Sequence, residues 1–229
     1  MNQQTQSQKG DQQTTTSRPN QVTEQEIKKA GSKLVAGIDE AGRGAWAGPV
    51  VAAAVILPDL DDDLGINDSK QLSPLQRETI FKQIKKTATD IGIGVVNVNE
   101  IDRMGVAQAS YFAMQRAVDN LKDKPDHILV DGYKVNFIQA PSTGIIDGDT
   151  KSLSIAAASI VAKVVRDQLM VDAHKRYPRF GFGIHKGYGT SLHRERLIKH
   201  GICALHRKSF MPVQEIMSKI KKQTTIKSN

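Results

Sequence analysis

The sequence has little cysteine, few aromatic residues and no long apolar run, and each shortage excludes a class of protein. The single cysteine, Cys203, cannot form a disulfide within the chain, which argues against a disulfide-stabilised secreted scaffold and favours a reducing compartment. The longest apolar run, Val50 to Leu57, is far shorter than the roughly 20 residues that cross a bilayer. The N-terminus has no hydrophobic signal segment. We therefore expect a soluble cytoplasmic protein.

The first part of the chain is also poor in apolar residues. Residues 1–31 are rich in Gln, Thr and Ser, and almost none before Val22 is apolar. Such a segment cannot bury enough surface to offset the entropy cost of ordering. We predict a disordered tail over 1–31 with a marginal helix at Glu24 to Lys29, one folded domain over 32–213, and a basic helical end over 214–229.

Positive charge is abundant and unevenly distributed. The net charge is +8, yet the segment from Lys163 to Asn229 carries 15 Lys or Arg against four acidic residues. A basic C-terminal region beside a slightly acidic remainder is typical of a protein that binds a polyanion such as nucleic acid. The alternative is a solvated basic surface, so charge alone supports this interpretation only weakly.

Apolar periodicity and punctuation by glycine and proline predict a chain of mixed α and β elements. The predicted strands are Leu34 to Ile38, Val50 to Leu57, Ile91 to Val98, His127 to Asp131 and Gly144 to Asp149. The predicted helices are Pro74 to Thr87 (capped by Ser73), Asn99 to Leu121, Ser152 to Lys175, Ser191 to His200 and Pro212 to Lys222. The fold class is therefore α/β, with the first two strands forming a hairpin.

Acidic residues follow the apolar runs of these strands. Asp39 and Glu40 come where the first strand should leave the sheet, and Asp131 ends the fourth in the same way. Adjacent acids next to a buried run suggest a cation, and a divalent metal would satisfy them. If the first and fourth strands are parallel neighbours, Asp39 and Asp131 lie close enough to share that metal. Asp149, at the end of the fifth predicted strand, is a further candidate.

Two glycine-rich segments are candidates for contact with nucleic acid. Gly42-Arg43-Gly44 would let backbone N–H groups approach a phosphate or a sugar closely. Around 179–193 and 205–212, glycine, aromatic and basic residues interleave, as expected for loops on a sugar-phosphate backbone. The predicted phosphate contacts in this region are Lys186, Arg194, Arg207 and Lys208.

Five of the six histidines also fall between His174 and His206. Their spacing matches no zinc pattern, and one cysteine cannot complete one. We interpret them as solvated residues or as contacts with the nucleic-acid backbone.

The run Gly37-Ile-Asp-Glu-Ala-Gly-Arg-Gly44, followed by Ala47-Gly-Pro-Val-Val51, resembles the signature of ribonuclease HII. It departs from the family at Ala45-Trp46, where proline and leucine are more usual. Asp147-Gly148-Asp149 is similar to the family's Lys-Gly-Asp segment with an aspartate in place of the lysine, so we favour Asp149 over Asp167 as the fourth acid. His185-Lys-Gly-Tyr-Gly-Thr190 also matches the family pattern.

The resemblance covers roughly Lys33 to Val213 and implies a ribonuclease H-like fold, a five-stranded mixed sheet flanked by helices with a C-terminal helical extension. It implies two Mg²⁺ or Mn²⁺ ions held by the four acids Asp39, Glu40, Asp131 and Asp149. It also implies that substrate is contacted by Gly42, Arg43, Gly44, Ser69, Lys70 and Tyr188, the last by stacking on a deoxyribose. The short polar N-terminal segment favours ribonuclease HII over ribonuclease HIII.

By this resemblance the chain is an endonuclease that cuts the RNA strand of RNA–DNA hybrids and incises 5′ of ribonucleotides embedded in duplex DNA, leaving 5′-phosphate and 3′-hydroxyl ends. We expect a monomer, with a replication clamp as a candidate protein partner. Two alternatives come from other classes. An actin-like or sugar-kinase-type nucleotide binder can share the Gly-Ile-Asp strand, although it needs a second phosphate loop. A non-catalytic nucleic-acid-binding module would account for the basic half but not for the acids.

Overall fold

The computed structural model describes residues 18–60, 64–66, 72–133, 135 and 140–227, with side chains described as far as residue 220. The described residues form one five-stranded sheet in the order β3-β2-β1-β4-β5. β1 pairs antiparallel with β2 and β2 with β3, whereas β1 and β5 both run parallel to β4. The strands are β1 Val35–Ala41, β2 Val50–Ile56, β3 Asp90–Val96, β4 His127–Asp131 and β5 Ser142–Ile145.

Eight α-helices accompany the sheet in the described part of the chain. They are α1 Val22–Lys29, α2 Pro74–Thr87, α3 Val98–Met104, α4 Val106–Asp119, α5 Leu153–Arg176, α6 Phe182–His185, α7 Ser191–His200 and α8 Met211–Lys227. The start of α2 agrees with its predicted cap, since Ser73 and Gln76 form a reciprocal capping box. Within the described ranges, no helix combines the length and apolarity that crossing a membrane requires.

Helices cover both faces of the sheet, which explains why β2 is apolar throughout. One hydrophobic cluster joins Ala52 and Ala54 of β2 to α4, and a second joins Ala53 and Val55 to α2 and α5. Because successive side chains of a strand point to opposite faces, a strand buried on both faces has no polar positions to alternate with. The hydrophobic core is therefore two layers, divided by the sheet.

Close contact between α5 and β1 depends on a glycine. A Cβ added to Gly37 would lie 2.2 Å from the carbonyl carbon of Ser154, inside the first turn of α5. The small residues of α5 continue this close approach along the helix, where Ala156, Ala157 and Ala158 are all buried. The first turns of α5 are thereby held directly against the strand that carries Asp39.

The predicted fold class is confirmed, and several boundaries are corrected. β1 does not end at Ile38 but continues to Ala41, because β2 still pairs with it opposite Asp39 and Glu40. The single helix predicted after β3 is two helices, divided at Gly105, whose φ is +83°. The helix predicted at Glu24 to Lys29 is present as α1, which begins two residues earlier, and its Glu24 is buried against Ser152 and Ser154.

Candidate active site

A cavity of about 280 Å³ opens where β1 and β4 end. All four predicted acids line it, each supplied by a strand end or by the turn before α5. The full lining is Asp39, Glu40, Ala41, Gly42, Arg77, Asp131, Asp149, Ser159, Lys163 and Tyr188. The three-dimensional arrangement thus gathers residues that are more than 100 positions apart in the chain.

The parallel pairing of β1 with β4 brings two of the acids together. Their register places Ile38 opposite Val130, so the next residues along the two strands are Asp39 and Asp131. Parallel neighbours lie about 4.8 Å apart in a sheet. The first and fourth strands are therefore parallel neighbours, as the sharing of one metal by Asp39 and Asp131 requires.

Asp149 reaches the cavity from a 3₁₀ turn, not from the end of β5 as predicted. β5 stops at Ile145, Asp147 adopts a left-handed conformation with φ of 54°, and the turn Gly148–Thr150 follows. The backbone N–H of Gly148 donates a hydrogen bond to Oδ1 of Asp131 at 2.8 Å, which ties the turn to β4. Asp147 is not among the residues that line the cavity.

Asp167, the competing candidate for the fourth acid, lies about four turns into α5 and does not line the cavity. It forms an ion pair with Lys163 at 2.8 Å and not with its sequence neighbour Arg166. The reason is that Arg166 points inward and is fully buried.

The electrostatics of the cavity oppose the ionisation of Asp39 and Glu40. Burial raises the pKa of Asp39 well above its ordinary value, and the charges of Glu40 and Asp131 raise it further, while a hydrogen bond from Ser159 acts in the opposite direction. Burial also raises the pKa of Glu40, although Arg43 counteracts this through an ion pair of 3.2 Å. Binding of a cation in this cavity is favourable, because the cation offsets the repulsion between carboxylates.

The donor set suits a hard divalent cation. Mg²⁺ and Mn²⁺ prefer carboxylate and water oxygens, and the acids offer such oxygens from three chain segments. Within the described ranges, no three acidic, histidine or cysteine side chains are arranged as a finished metal site. The acids therefore line a shared cavity, and a bound ion would have to draw them closer together.

Three further residues line the cavity that the sequence did not identify as candidates. Arg77 comes from α2, and Ser159 and Lys163 come from α5. The helical spacing of 159 and 163 puts both on one face, a signal that could have found them once α5 was known to follow the acids. Arg77 could not be found in this way, since only the packing of α2 on α5 brings it to the cavity.

The loop between β1 and β2, residues 42–49, is held by two buried arginines. Arg207 donates to the carbonyl oxygens of Arg43 at 2.8 Å and of Gly48 at 2.9 and 3.0 Å. Arg166 donates to those of Pro49 at 3.0 Å and Ala47 at 3.2 Å. The prediction that Arg207 contacts phosphate is therefore wrong for its side chain, which is 0% exposed and fully engaged with this loop.

Gly42 and Gly44 of the same loop have different surroundings. A Cβ at Gly42 would lie 2.0 Å from Nε of Arg166, and the residue has a φ of +98°. A Cβ at Gly44 would meet no atom within 4 Å. Gly42 is thus required by the fold itself, whereas the open surroundings of Gly44 leave room for a ligand.

The remaining predicted contacts lie on the surface or at its edge. Tyr188 is half-buried in the cavity wall, with its ring 5.4 Å from Nζ of Lys163 and 5.0 Å from the guanidinium carbon of Arg166. Arg194 and Lys208 are exposed, and Lys186 is half-buried with its ammonium on the carbonyl of Gly183. Ser69 and Lys70 lie outside the described residues.

The interpretation of the histidines as surface contacts is wrong for three of the five. His185, His193 and His206 are at most 7% exposed and pack together behind Tyr188. Sequence spacing gave no sign of this, because the three belong to separate turns and helices of the C-terminal region.

Comparison with known proteins agrees with this geometry. The family model of ribonuclease HII matches residues 36–213. The ribonuclease HII of Syntrophotalea carbinolica is 48% identical over 194 residues, which cover 85% of this chain and 93% of that protein.

Solved structures agree as well. The ribonuclease H2 from Pyrococcus horikoshii OT3 aligns with a TM-score of 0.70 and 28% identity, over 83% of this chain and 100% of that one. The ribonuclease HII of Archaeoglobus fulgidus, solved in complex with PCNA, aligns with a TM-score of 0.68 and 27% identity, over 80% of this chain and 96% of that one.

The matched region spans the sheet from the second residue of β1 onward, the four acids and both glycine-rich segments. The nucleotide-binder and non-catalytic alternatives have no such support. The chain therefore belongs to the ribonuclease HII family and is a ribonuclease H enzyme.

Proposed function

We propose that this enzyme is an endonuclease that cuts the RNA strand of RNA–DNA hybrids and incises 5′ of single ribonucleotides embedded in duplex DNA. The observation that carries the proposal is the cavity that four carboxyl residues share at the ends of β1 and β4, with Arg77 and Lys163 at its wall. Acids that repel each other beside cationic side chains suit a site for metal ions and phosphate. The similarity to the ribonuclease HII family supports the substrate class.

The proposed metal ligands are Asp39, Glu40, Asp131 and Asp149. Two Mg²⁺ or Mn²⁺ ions bound there would supply the Lewis-acid chemistry that hydrolysis of a phosphodiester requires. In the reaction the oxygen of water bonds to phosphorus and the bond from phosphorus to the 3′ oxygen breaks. The 3′ oxygen leaves as a hydroxyl, and the phosphate stays on the 5′ carbon of the ribonucleotide.

The side chains around the acids have separate proposed tasks. Arg77 and Lys163 would hold the phosphates that flank the cut, because both reach the cavity that the acids line. The exposed side chains of Arg43, Arg194 and Lys208, together with Lys186 and the undescribed Ser69 and Lys70, would contact phosphates further away. Since each neutralised phosphate releases counterions, affinity should weaken steeply with salt.

Two segments that border the acids would recognise the ribonucleotide. The backbone of residues 42–44 can approach a 2′-hydroxyl closely, and the space around Gly44 is open. The ring of Tyr188 lies in the wall of the same cavity, where it can stack on the deoxyribose that follows. The same linkage would then be recognised and cut.

The proposal is tested by cleavage of two substrates, an RNA–DNA hybrid and duplex DNA with one ribonucleotide, with Mg²⁺, with Mn²⁺ and with EDTA. We expect cuts only with metal, and 5′-phosphate and 3′-hydroxyl ends. Asp131→Asn should bind both substrates but cut neither. Cutting in EDTA, or normal turnover by Asp131→Asn at saturating Mg²⁺, would contradict the assigned site.

The domain boundaries and partners are also proposals. We place the catalytic and substrate-binding domain at 32–213, preceded by the α1 segment and followed by a basic helical end. The A. fulgidus relative, which was solved with PCNA, supports a replication clamp as partner, and we propose a monomer as the oligomeric state. Size-exclusion chromatography with and without a purified clamp from the same cell would test both.

A further inference from the structure

His185, His193 and His206 form a buried histidine cluster directly behind Tyr188. The rings of His185 and His193 stack with centroids 4.2 Å apart and planes inclined by 13°. His193 and His206 are joined through their Nε2 atoms at 3.1 Å. His193 and His206 are 0% exposed, and His185 is 7% exposed.

Two backbone donors determine where the protons of this cluster lie. The N–H of Cys203 donates to Nδ1 of His206 at 2.9 Å, so that nitrogen carries no proton. The N–H of Gly187 likewise donates to Nδ1 of His185 at 3.1 Å. A neutral imidazole has one N–H, so both rings carry their proton on Nε2.

The proton of His193 must then be on the other nitrogen. Nε2 of His206 donates, so Nε2 of His193 accepts, which leaves the proton of His193 on Nδ1. That Nδ1 lies 2.9 Å from the carbonyl oxygen of Tyr188, an atom that can only accept. The constraints from the two ends of the chain of hydrogen bonds therefore agree.

All three rings have to stay neutral for these bonds to exist. A second proton on any of them would place a donor against a donor. Burial lowers the pKa of His193 to about 4 and of His206 to about 3, with neighbouring histidines adding to both shifts. Burial also lowers the pKa of His185.

The cluster anchors the backbone of Tyr188 on both sides. The carbonyl of Tyr188 accepts from His193 and from the N–H of Thr190 at 2.8 Å, while its own N–H donates to the carbonyl of His185 at 2.9 Å. The carbonyl of Gly187, the preceding residue, accepts from Trp46 at 2.8 Å. The backbone at residue 188 is therefore held at both its donor and its acceptor.

We propose that the ordered chain of hydrogen bonds from Cys203 through His206 and His193 to the carbonyl of Tyr188 positions the Tyr188 ring for discrimination of a single ribonucleotide. The inference rests on the proposed function, which assigns recognition to Tyr188. The three histidines touch no substrate; His193 and His206 act through Tyr188, and His185 supports the same loop.

Histidine tautomers are read directly from the ring ¹⁵N shifts and the two-bond ¹H–¹⁵N couplings of the full-length protein. We expect His193 as the Nδ1–H tautomer and His185 and His206 as Nε2–H tautomers, all neutral at pH 6. His127, the half-buried first residue of β4, serves as the reference ring. An Nε2–H tautomer at His193, or titration of His193 near its ordinary pKa of about 6.5, would overturn the proposal.

Kinetics test the link to Tyr188. His193→Ala should lower kcat on duplex DNA with one ribonucleotide about tenfold, since small displacements of a positioning group have effects of this size or larger. Its affinity for that duplex should change less than twofold. His193→Asn, which keeps an N–H near the position of Nδ1, should recover most of the rate, and His127→Gln should match the wild type.

The double variant separates positioning from a general loss of structure. If His193 acts through Tyr188, Tyr188→Ala with His193→Ala should be no slower than Tyr188→Ala alone. Multiplying losses would overturn the inference. Should Tyr188→Ala itself cut the single-ribonucleotide substrate normally while the tautomers are as expected, the proposed function of Tyr188 fails, and the positioning role with it.

Discussion

The acidic cavity and the buried junction behind it differ in how their charged groups are satisfied. In the cavity, Asp39 and Glu40 have raised pKa values because burial and neighbouring acids oppose their charge. In the junction, where the loop 42–49 meets residues 185–190 and 203–207, Arg166 and Arg207 donate to backbone carbonyls. One region keeps an electrostatic demand for a cation, and the other uses its cations to hold a loop rigid. Buried charged residues thus leave the cavity open to a cation, whereas in the junction they stabilise the fold.

The sharpest way to test the cavity is to compare Asp149 with Asp167. Asp149→Asn removes a carboxylate that lines the cavity, and we expect a loss of kcat on the order of a thousandfold, as for removal of a key electrostatic group. Asp167→Asn breaks an ion pair with Lys163 and should cost less than about fivefold. Single-turnover cleavage of the hybrid measures both. A larger loss for Asp167→Asn would reverse the assignment.

The neighbours Arg207 and Lys208 separate the structural role of the junction from binding. Arg207→Ala leaves several loop carbonyls without their donor, and we expect the free energy of unfolding to fall by about 3–5 kcal/mol. Lys208→Ala removes an exposed charge and should leave stability unchanged. Urea denaturation measures the stability of both variants. The salt dependence of hybrid binding measures the loss of a phosphate contact in Lys208→Ala, for which the slope of log affinity against log salt should decrease by about 1. Equal stability of the two variants would refute the structural role of Arg207.

Gly42 and Gly44 distinguish packing from ligand approach within one loop. Gly42→Ala would place a Cβ against the side chain of Arg166, so the free energy of unfolding should fall by about 1–3 kcal/mol. Gly44→Ala meets open space, so it should keep wild-type stability yet cut the single-ribonucleotide substrate about tenfold more slowly. Thermal unfolding and cleavage are measured on both variants. Normal cleavage by Gly44→Ala would remove the backbone of this loop from the recognition model.

The pH dependence of stability reports on the neutral histidine rings. The unfolded chain binds protons on its histidines below pH about 6.5, while His193 and His206 stay neutral to about 4 and 3, so the cluster destabilises the fold as pH falls. The loss is on the order of 1 kcal/mol per histidine and pH unit below 6.5. The raised pKa values of Asp39 and Glu40 act in the opposite direction.

The contribution of the histidines is isolated by urea unfolding of the wild type and of the double variant, which carries both His193→Asn and His206→Asn, at pH 7, 6 and 5. The variant should lose less stability than the wild type between pH 7 and pH 5. Parallel curves would show that the cluster does not hold neutral rings.

Local patterns predicted much of the fold, because the signals that mark a helix or a strand lie within a few residues of one another. The capping box at Ser73 and the apolar run of β4 are examples, and both elements lie where expected. The end of β1 was misplaced because strand pairing with β2, a long-range interaction, extends it through two acidic residues. Asp149 was assigned from the family resemblance, although its turn could not be read from propensity.

The amino-acid sequence by itself determined the α/β class, the acidic residues at the ends of the strands and the basic C-terminal region, since these depend on composition and local periodicity. Only the tertiary structure decided that Arg166, Arg207 and three histidines are buried. The arginines bond to backbone groups of a distant loop, and the histidine rings contact one another across separate turns and helices, which no local pattern specifies. Charge predicts that a residue prefers water, but backbone carbonyl acceptors can replace water around a guanidinium inside the protein. The junction that holds the loop and Tyr188 is therefore a property of the folded chain.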